Sequence, residues 1–385
     1  MKTIVIIGGG SGGLSAANHL AYKLREPIKN GEVEIILVEG SQRHYYQPGF
    51  LEIPFGLMTP HSTYKPLSEM LADGIKHVPE FATALDLKNR LVRTNGQSIN
   101  YDFLIIATGA RYDYDSIPGL KEATNNFYSL DSAVELKKKL NSFVSGRIVV
   151  GVPSMPYKCT PAPLEAVFML HDYFTKRKIR DKVEIQYVYP MPMAFPDKGI
   201  SDIALKMFSE KGIGSSLGFQ IKAVDAAKRE LVSVKDERIA YDLALIVPPH
   251  RGSRLLESTG ETDQMGWIKV DGYTLNFKGY ENAYAIGDAT NLQVSKAGSV
   301  ADAEAIVVSD RIAQSVLGEE PVATYDGSGG ALMLTGIGRA SMITSSYTQK
   351  PIFMPESYSF YWLKMIYNNV YWNMTAKPVL NGVVR

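Results

Sequence analysis

Cysteine is almost absent: Cys159 is the single one among 385 residues. That excludes an intramolecular disulfide framework and a cysteine-built zinc site, and no metal site is expected. The scarcity fits a reducing compartment. A charge bias is also missing. Lys and Arg number 41 against 40 Asp and Glu, for a net charge of +1, which argues against a nucleic-acid partner. Apolar runs are short: none reaches the roughly 18–20 residues of a spanning helix. The opening MKTIVIIGGGSGG turns to glycine too soon for a signal peptide. The expectation is a protein that is soluble or bound to a membrane surface. Short-period repeats and low-complexity segments are lacking.

What is present is alternation of apolar strands with helical patterns, which predicts an α/β fold. A strand at 3–7 leads through glycines into a helix over about 12–25. Strands are expected at 34–38 and within YDFLIIATG (101–109). The series then restarts, with a helix at 131–144, a strand at 147–152, a helix at about 162–177 and a strand at 183–189. YDLALIVPP (241–249) repeats the YDFLIIATG pattern, so two related α/β units are expected. NAYAI (282–286) and a helix over about 298–316 return to the style of the first unit.

Gly8, Gly10 and Gly13 form GxGxxG between a strand and a helix start, with Ser11 inside the turn. Such a turn lets backbone amides and the helix dipole approach a pyrophosphate. Glu39 ends the next strand, where a carboxylate can hold the ribose hydroxyls of an adenosine. Two further segments separate FAD from NAD. Ala107-Thr108-Gly109 closes a strand late in the first unit. YAIGDAT places Gly287 and Asp288 at another strand end, and FAD is long enough to reach that aspartate through its ribityl chain. A helix cap is the plain alternative for Asp288.

The corresponding turn of the second unit is missing. Strand 147–152 runs instead into GVPSMPYKCTPAPLE, whose Pro153, Pro156, Pro161 and Pro163 have no amide hydrogen for a phosphate. The next strand ends in YVYP, with Tyr189 and no acid. A tight NAD(P)H site is therefore not expected. The loop offers a thiol instead. Lys158 and a helix beginning near Pro161 both favour thiolate. On the residues alone, a small buried cysteine stands level with a reactive one.

Several stretches together resemble the sulfide:quinone oxidoreductase family: KCTPAPLE, RHYYQPGF, YDLALIVPPHRG, GYENAYAIGDATNLQVSKAGSVADAEA, YDGSGGALMLTG and YWLKMIYNNVYWNM. Flavocytochrome c sulfide dehydrogenases and type II NADH dehydrogenases are related to it. The resemblance implies tandem Rossmann-like dinucleotide-binding domains with a C-terminal membrane-associating segment. Residues 1–112 and 253–320 would form the FAD-binding domain, 113–252 a second domain without a working NAD(P)H turn, and 321–385 an aromatic region contacting quinone and membrane. It implies electron transfer from sulfide through FAD to a quinone, on the cytoplasmic face of the cell membrane as a peripheral, monotopic protein. A homo-oligomer stays open. Alternatives are a type II NADH:quinone oxidoreductase and a non-catalytic, FAD-binding sulfur or redox sensor.

By the same resemblance Cys159 matches the cysteine that attacks the flavin. The family's second cysteine is replaced by Ala331. Lys296 is expected to place charge near the flavin or to meet quinone, and Gly298 opens a helix aimed at the flavin. Glu165, in apolar company, is a candidate proton carrier, with a favourable acid in a first helical turn equally open. The aromatic tail, 358–372, suits either a bilayer headgroup boundary, with Lys364 near the surface, or a core or dimer interface.

Overall fold

The apolar run at the N-terminus becomes β1 (Lys2–Ile7) of a computed structural model that describes residues 1–377. Helix α1 (Ser11–Lys23) follows, then β2 (Val33–Val38), the one-turn helix α2 (Gly49–Glu52), β3 (Ile75–Val78) and β4 (Phe103–Ile106). β1 pairs in parallel with β2 and β4. Its residues alternate between two cores. Ile4 and Ile6 pack with Leu14 and Ala17 of α1, whereas Val5 and Ile7 pack with Leu85 and Val92 of a small antiparallel sheet on the other face. Burial on both faces is why this strand reads as a continuous apolar run.

The second unit contains α3 (Leu130–Ser142), β5 (Gly146–Gly151), α4 (Ala162–Lys176), β6 (Val183–Tyr189), α5 (Lys198–Lys211), β7 (Gly214–Leu217) and β8 (Leu243–Ile246). Its parallel sheet has the order β7-β6-β5-β8. The chain then returns to the first sheet. β9 (Ala283–Ala285) pairs with β4, giving the order β9-β4-β1-β2-β3, and α6 (Gly298–Val316) packs on α1. The two connections between the units run side by side, Tyr112 opposite His250.

The last segment forms the hairpin β10 (Gly329–Gly336) and β11 (Arg339–Ser345), with β12 (Ile352–Phe353) on its edge, followed by α7 (Tyr358–Tyr371). β10 packs on α4 and α6, and α7 lies against the hairpin. Among the described residues no helix is long and apolar enough to cross a membrane.

Candidate active site

The glycine turn is built by close approach. A Cβ on Gly13 would stand 1.9 Å from the Gly8 carbonyl oxygen, and Gly8 has φ +104, so neither position admits a side chain. Around Gly10, by contrast, the same construction meets nothing within 4 Å: the turn is open on that side. The opening is a cleft lined by Gly8, Gly10, Ser11, Glu39, Ala107, Thr108, Gly109, Gly287, Asp288 and Gly298. The Glu39 carboxylate accepts from the amides of Gly9 and Ser41, both at 2.7 Å. α6 begins at the cleft with no side-chain cap, so its free amides and positive dipole end face inward.

These residues fit FAD. The cleft runs from the Glu39 carboxylate, past an uncapped glycine turn, to a second uncapped helix start. Thr108 adds a buried Oγ1 with no hydrogen-bond partner on its wall. Burial raises the Asp288 carboxyl above the usual carboxylate range, with Lys158 and Lys296 opposing.

Two of the residues expected to hold the cofactor stand outside the cleft lining. Gly13 packs beneath the turn. Lys296 is buried behind it, where its ammonium donates to the carbonyls of Asp288 (3.0 Å) and Thr290 (2.7 Å) and lies 4.0 Å from the centre of the Trp267 ring. Burial lowers its pKa. Its contacts fix the Asp288 turn from the rear.

Cys159 is joined through its backbone to the segment behind the cleft. Its amide donates to the Lys296 carbonyl (2.8 Å), which ties the proline loop to the segment leading into α6. Of the two readings the sequence leaves level, the surroundings of the thiol match the buried one. Packing around the sulfur pushes it up to about 12, Glu165 adds to the rise and Lys364 opposes it. Lys158 does not serve as its ion partner: that ammonium donates to Gln47 (2.9 Å) and lies over the Tyr112 ring. Cys159 also holds φ +54, a left-handed conformation that costs a non-glycine residue about 1–3 kcal/mol and clusters at functional sites.

Tyrosines fill the end of the second sheet, where a phosphate would need open amides. Tyr157 is buried, donates to the Thr160 carbonyl (3.0 Å) and meets the Tyr189 hydroxyl at 3.3 Å.

Glu165 lies in the first turn of α4, fully enclosed. Its Oε1 accepts from the Leu334 amide (2.8 Å) and from Lys364 (3.1 Å). Lys364, expected near the surface, is therefore a correction: it is buried, with its ammonium between the carboxylates of Glu165 and Glu52. Ala331 lies in β10 between Gly330, whose carbonyl accepts from Ser299, and Leu332, whose carbonyl accepts from Lys364.

Sequence reasoning missed the tie between the tail and the glycine turn. Burial lowers His44 to about 4, so its ring is neutral; Nδ1–H donates to the Gly9 carbonyl and Nε2 accepts from the Tyr371 hydroxyl (2.8 Å). The same hydroxyl meets Ser11 at 3.0 Å. Glu52 was missed as well, because FLEIPF gives no sign of which apolar neighbour will bring it a partner.

A family model for pyridine nucleotide-disulphide oxidoreductases matches residues 2–306, and the chain belongs to this family of FAD-binding oxidoreductases. Within it the chain is similar to sulfide:quinone oxidoreductases. The mitochondrial one of Dictyostelium discoideum is 29% identical over 336 residues, 84% of this chain and 73% of that protein. The mitochondrial one of Mus musculus is 26% identical over 398 residues, 98% of this chain and 87% of that protein. The crystal structure of the sulfide:quinone oxidoreductase from Aquifex aeolicus shares the fold, with a TM-score of 0.88 at 20% identity over 99% of this chain and 93% of that one.

Proposed function

We propose that this chain passes two electrons from hydrosulfide, by way of bound FAD, to a quinone at a membrane surface. The observation that carries the reading is the proline loop: its Lys158 lines the nucleotide cleft, the amide of the adjoining Cys159 is tied to Lys296, and its Tyr157 packs against Tyr189 at the end of the second sheet, which supports a thiol in place of a pyridine-nucleotide turn. FAD supplies the redox chemistry when bound. The protein positions the groups. Glu39, the glycine turn and Thr108 hold the adenosine and pyrophosphate end, while Asp288 and the α6 start face the other. In this reading the units follow the boundaries 1–112 with 253–320, 113–252 and 321–385.

Cys159 takes the sulfur. A thiol and a hydrosulfide become a persulfide anion, two protons and two electrons, and a quinone gains two of each to become a quinol. With Ala331 in β10, no second thiol of this chain can receive that sulfur. A second hydrosulfide, with one proton, would then release it as hydrodisulfide and restore the thiol. Lys364 and Glu165 form the charged pair on the acceptor side, under α7.

One face of α7 supports membrane contact. Tyr358, Trp362, Leu363 and Ile366 are exposed there, with Met374 beyond the helix end, while Tyr371 and Trp372 anchor the helix in the first unit's core. Aromatics on an otherwise anchored helix suit a headgroup boundary, and a lipophilic acceptor would arrive by that route. The association would be peripheral, and the scarcity of cysteine supports a cytoplasmic face.

Anaerobic titration of the flavin-loaded protein tests the donor. Sulfide is expected to bleach the flavin near stoichiometry and NADH is not. The reverse result replaces this reading with an NADH:quinone oxidoreductase, and no bleaching by either leaves a non-catalytic sulfur-binding protein.

A further inference from the structure

Glu52 belongs to none of the motifs above, yet it is completely buried at the end of α2. Its Oε2 accepts from Asn368 Nδ2 (2.7 Å), and that amide is oriented by the Tyr46 hydroxyl, which donates to Asn368 Oδ1 (2.6 Å). Its Oε1 is buried without a hydrogen-bond partner. Lys364 Nζ stands 3.8 Å from it, close enough for attraction and too far for a hydrogen bond. The same ammonium donates to Glu165 (3.1 Å) and to the Leu332 carbonyl (3.0 Å).

Two enclosed carboxylates therefore share one ammonium. The charged and titratable groups facing Glu52 are Lys364 and Tyr361 from α7, Glu165 from α4, and Tyr46 from the loop before α2. One positive charge compensates one carboxylate, and an enclosed site of this kind keeps a proton on the other. Glu165 has the better support, with an ammonium and the Leu334 amide both donating to it. Glu52, with a free oxygen, takes the proton. Burial pushes its carboxyl up to about 7, Lys364 opposing and Glu165 adding to the rise.

We infer that Glu52 is a positioning residue that stores a proton for the reduced acceptor and delivers it through Lys364. The inference rests on quinone being the acceptor. As the acceptor oxygen gains its electron pair, Lys364 gives it one ammonium proton, and an O–H bond forms. The lysine nitrogen then closes the 3.8 Å gap to Glu52 Oε1, takes the carboxyl proton and is restored as ammonium, leaving Glu52 ionised. Water reprotonates Glu52 between turnovers and supplies the quinol's second proton. Glu165 holds Lys364 in place through its hydrogen bond.

The test isolates the acceptor step. Flavin-loaded protein is reduced with one equivalent of dithionite and mixed anaerobically with decylubiquinone in a stopped-flow instrument across a pH series. Wild-type reoxidation should be fast at low pH and slow as pH rises through about 7, as Glu52 loses its proton. Glu52→Gln keeps the acceptor for Asn368 but holds no acidic proton. It should reoxidise about tenfold slower or more at low pH, with no limb near neutrality, and its reduction by sulfide should be unchanged. Glu52→Asp should keep the limb.

Infrared spectroscopy gives a second readout: a carboxylic C=O band titrating near 7 in the wild type and missing in Glu52→Gln. Equal reoxidation rates and pH profiles in Glu52→Gln and wild type overturn the inference while leaving the quinone reading intact. Reduced wild type that quinone does not reoxidise overturns both. Should Glu52→Gln lose its flavin, the wild-type infrared titration decides, and the absence of a band titrating near 7 overturns the inference.

Discussion

Lys364 Nζ lies 3.1 Å from Glu165 Oε1, joining the tail helix to the helix that follows the single cysteine across 199 positions of sequence. Burial works against the lysine's charge, yet Glu165 and Glu52 raise its pKa. Replacing one member of such a group leaves uncompensated charge. Lys364→Met should lower stability by about 3–5 kcal/mol at pH 8, and by less at pH 5, where Glu52, raised to about 7, carries a proton. Denaturant unfolding at the two pH values measures this. An equal loss at both would mean the lysine acts by packing alone.

Cys159 is held as a thiol at neutral pH, with its pKa pushed up to about 12. Iodoacetamide should therefore modify it at least about tenfold slower than a free thiol near pH 7.5, with the rate still climbing above pH 9. Mass spectrometry of the modified protein follows the rate. Labelling as fast as a free thiol at neutrality contradicts the geometry. In the sulfide titration, Cys159→Ser should abolish flavin bleaching.

Glu304 of α6 accepts from the Gly287 amide, and its other oxygen is buried without a partner. Burial raises it from 4.5 to about 8. An acid raised on folding contributes its stability below its unfolded pKa and loses it as pH rises through the folded value. Wild-type stability should thus fall between about pH 5 and pH 8, by roughly 3–5 kcal/mol at most from this residue. Glu304→Gln should flatten that fall. Thermal unfolding across the range checks it, and an unchanged slope in the variant rules it out.

Ala331 leaves Cys159 without a partner thiol in the proposed cycle. Turnover of sulfide with quinone should accordingly rise several-fold with an added nucleophile such as sulfite or a small thiol. Ala331→Cys should weaken that dependence. Steady-state rates with and without the nucleophile decide, and a wild-type rate indifferent to it counts against release to an external acceptor.

The exposed face of α7 should govern membrane contact. Trp362→Ser with Ile366→Ser removes two side chains that are 63% and 55% exposed, so flavin content and folding should be unaffected. Co-sedimentation with lipid vesicles should drop by about tenfold or more, given the usual worth of burying two large apolar groups. Undiminished co-sedimentation would place the contact elsewhere.

Most of the nucleotide cleft was legible because its logic is local. A strand, a glycine turn and a helix follow one another within residues 2–23, and Glu39, Thr108 and Asp288 each sit at a strand end that an apolar run announces. The cluster around Lys364 was legible only at Glu165. Glu52 and Lys364 are single charges inside apolar stretches, and a linear pattern assigns such residues to solvent. Lys364 was accordingly expected near the surface. The sequence leaves the thiol's surroundings open for a similar reason: Lys158 is its neighbour in sequence, but the lysine side chain turns to Gln47 and Tyr112.

The sequence by itself determined the two parallel sheets, the open glycine turn of the first unit and its replacement by a proline loop in the second. These follow from apolar periodicity, from steric limits at Gly8 and Gly13, and from the missing amide hydrogens of proline. Only the tertiary structure decided which charges meet. Packing α7 onto the hairpin and α4 enclosed Lys364 between Glu165 and Glu52, and the energy of a charge depends on what surrounds it in space.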